Sequence, residues 1–169
     1  GRQFFRLSIL ATFAFPLVVV SIPMAVTFIQ LNLFDTVFSL VLMHTAITLP
    51  ISVLIMSSVF MSVPYQLEEA AQIFGCSPLQ SLRYVMMPLI LPGIAAASLF
   101  SFAISWNEVF AASILTIQHR TLPVTLAIAL GGSSEAYNFA GAFILILPAL
   151  VFTFFIRKYL VNMWGGLSE

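Results

Sequence analysis

Long apolar runs broken by short polar stretches dominate the 169-residue chain. A membrane-spanning helix needs roughly 20 mostly apolar residues, and four such runs can be drawn. They cover about Leu7–Ile29, Thr36–Val63, Pro88–Leu115 and Ala140–Val161. Pro16 and Pro23 fall inside the first run and Pro50 near the middle of the second. Prolines are tolerated at membrane depth because neighbouring helices and hydroxyl side chains re-satisfy the freed carbonyls. The expected fold is all-α, a polytopic transmembrane helical bundle of about four spans.

The polar stretch between the second and third runs has helical periodicity of its own. Pro64 suits the first helical position, where a missing N–H costs nothing. Leu67, Ala70, Ala71 and Phe74 then share one face, with Glu68, Glu69 and Gln72 on the others. Gly75 suits a left-handed terminating residue, and Ser77-Pro78 suits an N-cap followed by the first turn of a second short helix reaching about Val85. This predicts a helix–turn–helix over residues 64–87, resting on lipid headgroups or docking another protein.

Composition sharpens the membrane reading. Hydrophobic residues make up 61% of the chain and charged residues 7%, against about a quarter charged in soluble domains. Mean hydropathy is +1.10. Six basic residues balance six acidic ones, so there is no basic footprint for nucleic acid. The single cysteine, Cys76, excludes an internal disulfide and a multi-cysteine zinc site. Neither a metal nor a cofactor is expected. The opening Gly1-Arg2-Gln3 carries no signal peptide and no initiator Met, and suggests that an N-terminal part precedes it. If the N-terminus is cytoplasmic, Arg2, Arg6, Arg83, Arg157 and Lys158 lie inside and Arg120 alone outside, which is the positive-inside bias. Residues 116–139 then form an external segment containing His119, Arg120 and Glu135, with the apolar run Leu122–Leu130 as a short helix in the outer mouth.

Polar groups at membrane depth are candidate functional residues. His44, Thr45 and Thr48 lie together in the second run. Trp106, Asn107 and Glu108 lie along or just beyond the third. An aromatic face for the C–H side of a sugar, with an amide and a carboxylate for its hydroxyls, fits carbohydrate chemistry; bracing between helices fits the same residues. No G-x-x-x-x-G-K-[ST] phosphate loop is present, and Gly131-Gly132 reads as a bend. The H-E-x-x-H and G-x-S-x-G patterns of hydrolases are also absent.

The string Glu69-Ala70-Ala71-x-x-x-Gly75, followed by Met87-Pro88-Leu89-Ile90-Leu91-Pro92, resembles the EAA signature of binding-protein-dependent ABC importer permeases. Ser105-Trp106-Asn107-Glu108 with Phe110, Thr121-Leu122-Pro123-Val124 and Arg157-Lys158-Tyr159-Leu160-Val161 are similar, in that order, to carbohydrate-uptake permeases of the maltose system's second-subunit type. The Met87–Pro92 ending is a variant of the family pattern. The resemblance covers essentially all of residues 1–169 as one permease domain. It implies a non-enzymatic translocation subunit of a bacterial inner membrane, both termini cytoplasmic, for sugars or polyols. It implies coupling through Leu67, Glu68, Glu69, Ala70, Ala71, Phe74 and Gly75 to a dimer of ATP-binding cassette subunits that hydrolyses the ATP. It further implies a second permease subunit, a periplasmic or lipoprotein solute-binding protein, surrounding lipid, and about two more spans N-terminal to this sequence. An importer for a polyamine or an anion, a purely structural membrane subunit and an intramembrane enzyme are the alternatives.

Overall fold

Three stretches are long and apolar enough to form membrane-crossing helices in the computed structural model, which describes residues 2–13, 15–131 and 134–165. Side chains are described at 4, 7–9, 11–13, 15–131 and 134–159. The described elements are α1 (Arg2–Thr12), α2 (Leu17–Gln30), α3 (Val37–Ser62), α4 (Tyr65–Ile73) and α5 (Pro78–Ser81), then a π-helical turn at Leu82–Met86. After it come α6 (Met87–Asn107), α7 (Phe110–Leu115), α8 (Leu122–Leu130) and α9 (Glu135–Gly165). No strand occurs among the described residues. The all-α membrane fold expected from the hydropathy pattern is what forms.

At 1.5 Å per residue the 26 residues of α3 rise about 39 Å, more than the roughly 30 Å of bilayer hydrocarbon. Pro78–Asn107 and Glu135–Tyr159 are the other two candidate spans. The expected first span, Leu7–Ile29, does not form as one helix. α1 stops at Thr12 and α2 starts at Leu17, with Pro16 in extended geometry (φ −60°, ψ 129°) between them. Proline removes a helical donor and disfavours helix in the residue before it, so the apolar run breaks there. The remaining 14 residues of α2 rise only about 21 Å. Pro23, by contrast, stays inside α2, where the Thr27 hydroxyl donates to its carbonyl at 2.9 Å.

The third span also differs from expectation at both ends. The hydropathy pattern predicts it from Pro88 to Leu115, with a separate short helix before it. Instead the helix that begins at Pro78 runs on to Asn107 without a break. The Met87 N–H reaches back five residues to the Leu82 carbonyl. A π-turn directly ahead of Pro88 and Pro92 widens the helix where proline rings crowd the preceding turn. At the far end, α6 stops at Asn107 because Glu108 captures the first amides of a new helix, α7.

The chain divides into two compact units. The first comprises residues 1–50 and 101–151, the second residues 51–100 and 152–169. In the first, α2 packs on α7 around Ala25, Phe28, Met43, Ala111 and Leu115. A smaller cluster joins Leu40, Ala112 and Val124. In the second, α4 folds against α5 and the π-turn. The same unit holds a close approach of two helices, where Gly93 sits against Val59 with no room for a Cβ. Exposed apolar side chains such as Phe139, Phe143, Leu150 and Phe155 of α9 belong to a surface made for lipid or a protein neighbour rather than water.

Candidate functional site

In the first unit an open cavity of about 500 Å³ lies between the first half of α3 and the last turns of α6, closed at one side by the start of α8. Its α3 wall is Val37, Leu40, Val41, His44, Thr45 and Thr48, residues that helical spacing puts on one face. Its α6 wall is two i, i+4 pairs, Ser101 with Ser105 and Phe102 with Trp106. Thr121, Leu122 and Pro123 complete the lining. Its size falls in the range of about 300–1,000 Å³ usual for small-molecule sites.

Four of the six expected pathway residues, His44, Thr45, Thr48 and Trp106, meet in this cavity. Trp106 stacks on Phe102 with ring centroids 5.5 Å apart, and its indole N–H donates to the Leu145 carbonyl at 3.1 Å. Tethering the indole edge fixes the ring's orientation in the lining. Thr48 donates to the His44 carbonyl at 2.7 Å. Asn107 and Glu108 instead line a second, mostly apolar cavity of about 800 Å³ with Phe13, Phe15, Met24 and Met43. The Asn107 amide donates to the Ala103 carbonyl one turn back, at 2.8 Å.

Glu108 is buried, and both of its carboxylate oxygens are occupied. Oε1 accepts from the Ala111 N–H at 2.7 Å and Oε2 from the Ala112 N–H at 2.9 Å. These are amides at the start of α7 that have no carbonyl partner within the helix. Oε2 also stands 3.8 Å from His44 Nε2, and His44 Nδ1 is hydrogen-bonded to the Ser105 hydroxyl. Ser101 and Ser105 escaped the sequence reading as site residues, although their i, i+4 spacing beside Phe102 and Trp106 carried the signal. Among the described residues no three His, Cys, Asp or Glu side chains come together as a metal site.

Near the start of α8, Asp35 holds the connection after α7. Its Oδ1 accepts the N–H groups of Ile117, Gln118 and His119 at 2.8, 2.9 and 3.1 Å, with His119 Nδ1 at 3.7 Å. In return its own N–H donates to the Leu115 carbonyl at 3.0 Å. Asp35 takes a positive φ of 56°, which the short polar Asp side chain tolerates better than most. Hydrogen bonding from Ile117, then from His119, holds its carboxyl below the usual carboxylate range. The expected short helix Leu122–Leu130 is present, with the Thr121 hydroxyl capping it by accepting from Val124 N–H at 3.5 Å. Gly131 ends it, whereas Gly132 lies outside the described residues.

The second unit carries the polar loop. α4 ends as the sequence predicts, in a Schellman turn. Cys76 N–H donates to the Ala71 carbonyl at 3.0 Å and Gly75 N–H to the Gln72 carbonyl at 2.9 Å, with Gly75 at φ +90°. Ser77 caps α5 in a capping box with Gln80. Pro64 sits one position earlier than expected, as the N-cap of α4. The expected apolar face divides. Ala71 is buried within the unit, Leu67 and Ala70 are partly exposed or exposed, and Phe74 is 88% exposed. Ile73, Leu79 and Tyr84 stand out beside Phe74, an apolar set larger than the one read from periodicity. Glu69 is exposed, and Glu68 accepts a hydrogen bond from Gln72 at 3.4 Å. Arg83 lies over the Tyr84 ring at 5.9 Å, and among the described residues no carboxylate is within ion-pair reach of it.

A glycine-terminated helix–turn–helix thus joins α3 to α6, and the cavity with its hydroxyl, imidazole and indole groups lies along these same two helices. The chain belongs to the family of binding-protein-dependent transport system inner membrane components, which matches residues 1–162. It is 35% identical to a Streptomyces antibioticus protein named as an ABC transporter permease, over 88% of this chain and 67% of that one. It is 32% identical to the trehalose transport system permease of Mycobacterium tuberculosis, over 78% and 50% of the two chains. With the sulfoquinovosyl glycerol transport system permease of Agrobacterium fabrum it shares 36% identity, over 69% and 41%. The chain spans about half the length of most of the curated relatives it matches.

Proposed function

We propose that this chain forms part of the translocation pathway of an ATP-driven importer for sugars or polyols, the solute passing along the cavity of His44, Thr45, Thr48 and Trp106. The observation that carries this reading is the lining itself. A tethered indole and a phenyl ring face the same space as serine and threonine hydroxyls and an imidazole. Aromatic faces suit the C–H surface of a pyranose, and neutral hydroxyls suit its O–H groups. The trehalose and sulfoquinovosyl glycerol permeases among its relatives have names that point to sugar-containing solutes. For a polyamine the same space offers little, since Asn107 and Glu108 line the other cavity and Glu108 already serves α7.

Residues 64–87 are the loop through which an ATP-binding cassette dimer drives the permease. Exposed Phe74, Ile73 and Leu79 would enter a groove on that partner, and Glu69 would meet its basic groups. A second permease subunit completes the pathway. A solute-binding protein delivers the solute at the side of residues 116–139. The positive-inside distribution of Arg83, Arg157 and Lys158 supports a bacterial inner membrane with this loop and the C-terminus in the cytoplasm.

The test is ATP-dependent uptake by the complete importer in proteoliposomes, offered labelled sugars, a polyamine and an inorganic anion. Sugar uptake alone is expected, abolished by Glu69→Lys or Gly75→Arg without loss of membrane insertion. Trp106→Ala should raise the half-saturating sugar concentration about 2- to 10-fold, the scale of one aromatic contact. Polyamine or anion uptake in place of sugar would overturn the solute class. Undiminished uptake by the loop variants would overturn the coupling role.

A further inference from the structure

Serine and threonine hydroxyls in these helices mostly turn back on their own backbone. Ser39 donates to the Thr36 carbonyl, Thr48 to His44, Ser57 and Ser58 to Leu54, and Ser62 to Val59. Ser105 does otherwise. Its hydroxyl crosses from α6 to α3 and meets His44 Nδ1, 61 residues away in the chain.

The direction of that bond follows from the other side of the imidazole. Glu108 accepts two backbone N–H groups, one on each oxygen, so it is an acceptor-only carboxylate fixed in place. Its Oε2 stands 3.8 Å from His44 Nε2, an atom that is buried and has no hydrogen-bond partner. A negative oxygen beside Nε2 favours the tautomer with its proton on that nitrogen. The neutral ring's Nδ1 is then a lone pair, and the Ser105 O–H must donate to it. With its only proton spent, the Ser105 oxygen keeps lone pairs and nothing to give. Ser105 lines the cavity with the apolar Val37, Leu40, Val41 and Phe102 and with the hydroxyl residues Thr45, Thr48, Ser101 and Thr121, so its lone pairs face a space that a solute hydroxyl can enter.

We propose that Ser105 is a specificity-determining residue of the cavity: it accepts a hydrogen bond from one hydroxyl of the passing solute, and His44, oriented by Glu108, is the positioning residue that makes it an acceptor. The site selects an O–H donor at one position of the solute and disfavours an ether, a carbonyl or a fluorine there. The proposal rests on the carbohydrate passage proposed above.

The complete importer in proteoliposomes is first offered labelled trehalose, maltose and cellobiose. The sugar it carries is then compared with its monodeoxyfluoro analogues, in which fluorine replaces one O–H and cannot donate. The expected result is one positional analogue carried about 3- to 10-fold less efficiently by the wild type, the scale of one neutral hydrogen bond. Ser105→Ala should carry that analogue and its parent alike, and His44→Leu should do the same although Ser105 remains. His44→Asn, whose amide can still offer an acceptor to Ser105, should restore discrimination. If Ser105→Ala fails to assemble, Ser105→Cys takes its place, the thiol being a weak acceptor. Discrimination that persists in the serine variant overturns the proposal, and so does an equal loss of all analogues, which would mean packing. If the wild type carries none of these sugars but does carry a polyamine or an anion, the carbohydrate reading itself fails and this proposal with it.

Discussion

Gly75→Ala separates backbone conformation from crowding at the turn of the polar loop. Nothing lies within 4 Å of a Cβ built on Gly75, so an added methyl meets open space. What it does meet is its own backbone, held at φ +90° by the Schellman hydrogen bonds to Ala71 and Gln72. A left-handed conformation costs a residue with a Cβ about 1–2 kcal/mol. Spent on a local turn, that cost raises the population of the opened α4–α5 connection by about 5- to 30-fold. The assay is amide hydrogen exchange in lipid nanodiscs, read at Gly75 and Cys76 with the amides of α6 as internal reference. Protection at those two positions should fall by that factor in the alanine variant while α6 is unchanged. Gly75→Asn should lose less, because asparagine visits the left-handed region more readily. Equal losses for alanine and asparagine, or no loss for alanine, would refute the reasoning.

Two further outcomes follow from the same structure. Gly93→Ala meets the opposite problem, since its Cβ would lie 2.9 Å from the Cβ of Val59, a β-branched side chain with little freedom to move. It should destabilise the protein by about 1–3 kcal/mol, seen as a lower unfolding temperature in detergent; Val59→Ala, which removes the methyls at 2.4 and 2.5 Å but keeps the Cβ at 2.9 Å, should recover part of the loss, and unaltered unfolding of the single variant would contradict the close approach. Asp35 has a folded-state carboxyl held below the usual range, so its clamp contributes fully above the unfolded value near pH 4 and is lost only as pH falls through the lowered folded value. Exchange at the amides of Ile117–His119 should therefore be limited by the same opening between pH 7 and 5, after correction for intrinsic rates, and Asp35→Asn should loosen them throughout; loosening of the wild type already at pH 6 would sink the assignment.

What could be read from sequence divides by the range of the forces involved. The α4–α5 turn was legible nearly residue by residue, because Gly75, Ser77 and Pro78 act on backbone within a few positions of themselves. The three long spans were legible because a run such as that of α3 has few other solutions. The break at Pro16 was missed because hydropathy continues straight through it, and a proline within a span is ordinary. The end of α6 was missed because Glu108 stops one helix by serving the amides of the next, a role more usual for serine or aspartate. The Asp35 clamp joins residues more than 80 positions apart, and no local pattern announces it. In the cavity, the residue types were visible on each helix, but the meeting of His44 with Ser105 depends on how α3 and α6 face each other.

Asp35 and Glu108 share a habit with a consequence for how this protein meets its surroundings. Each draws its counter-charge from peptide N–H groups, and among the described residues no lysine or arginine lies within 4.0 Å of any carboxylate. Dissolved salt weakens the attraction of separate ions across solvent, but it acts weakly on a carboxylate already seated on amides. The connections built on these two residues are thereby insulated from changes of ionic strength. Among the described residues the basic side chains are left unengaged by acids, with Arg157 resting over Phe154 and Lys158 over Tyr159.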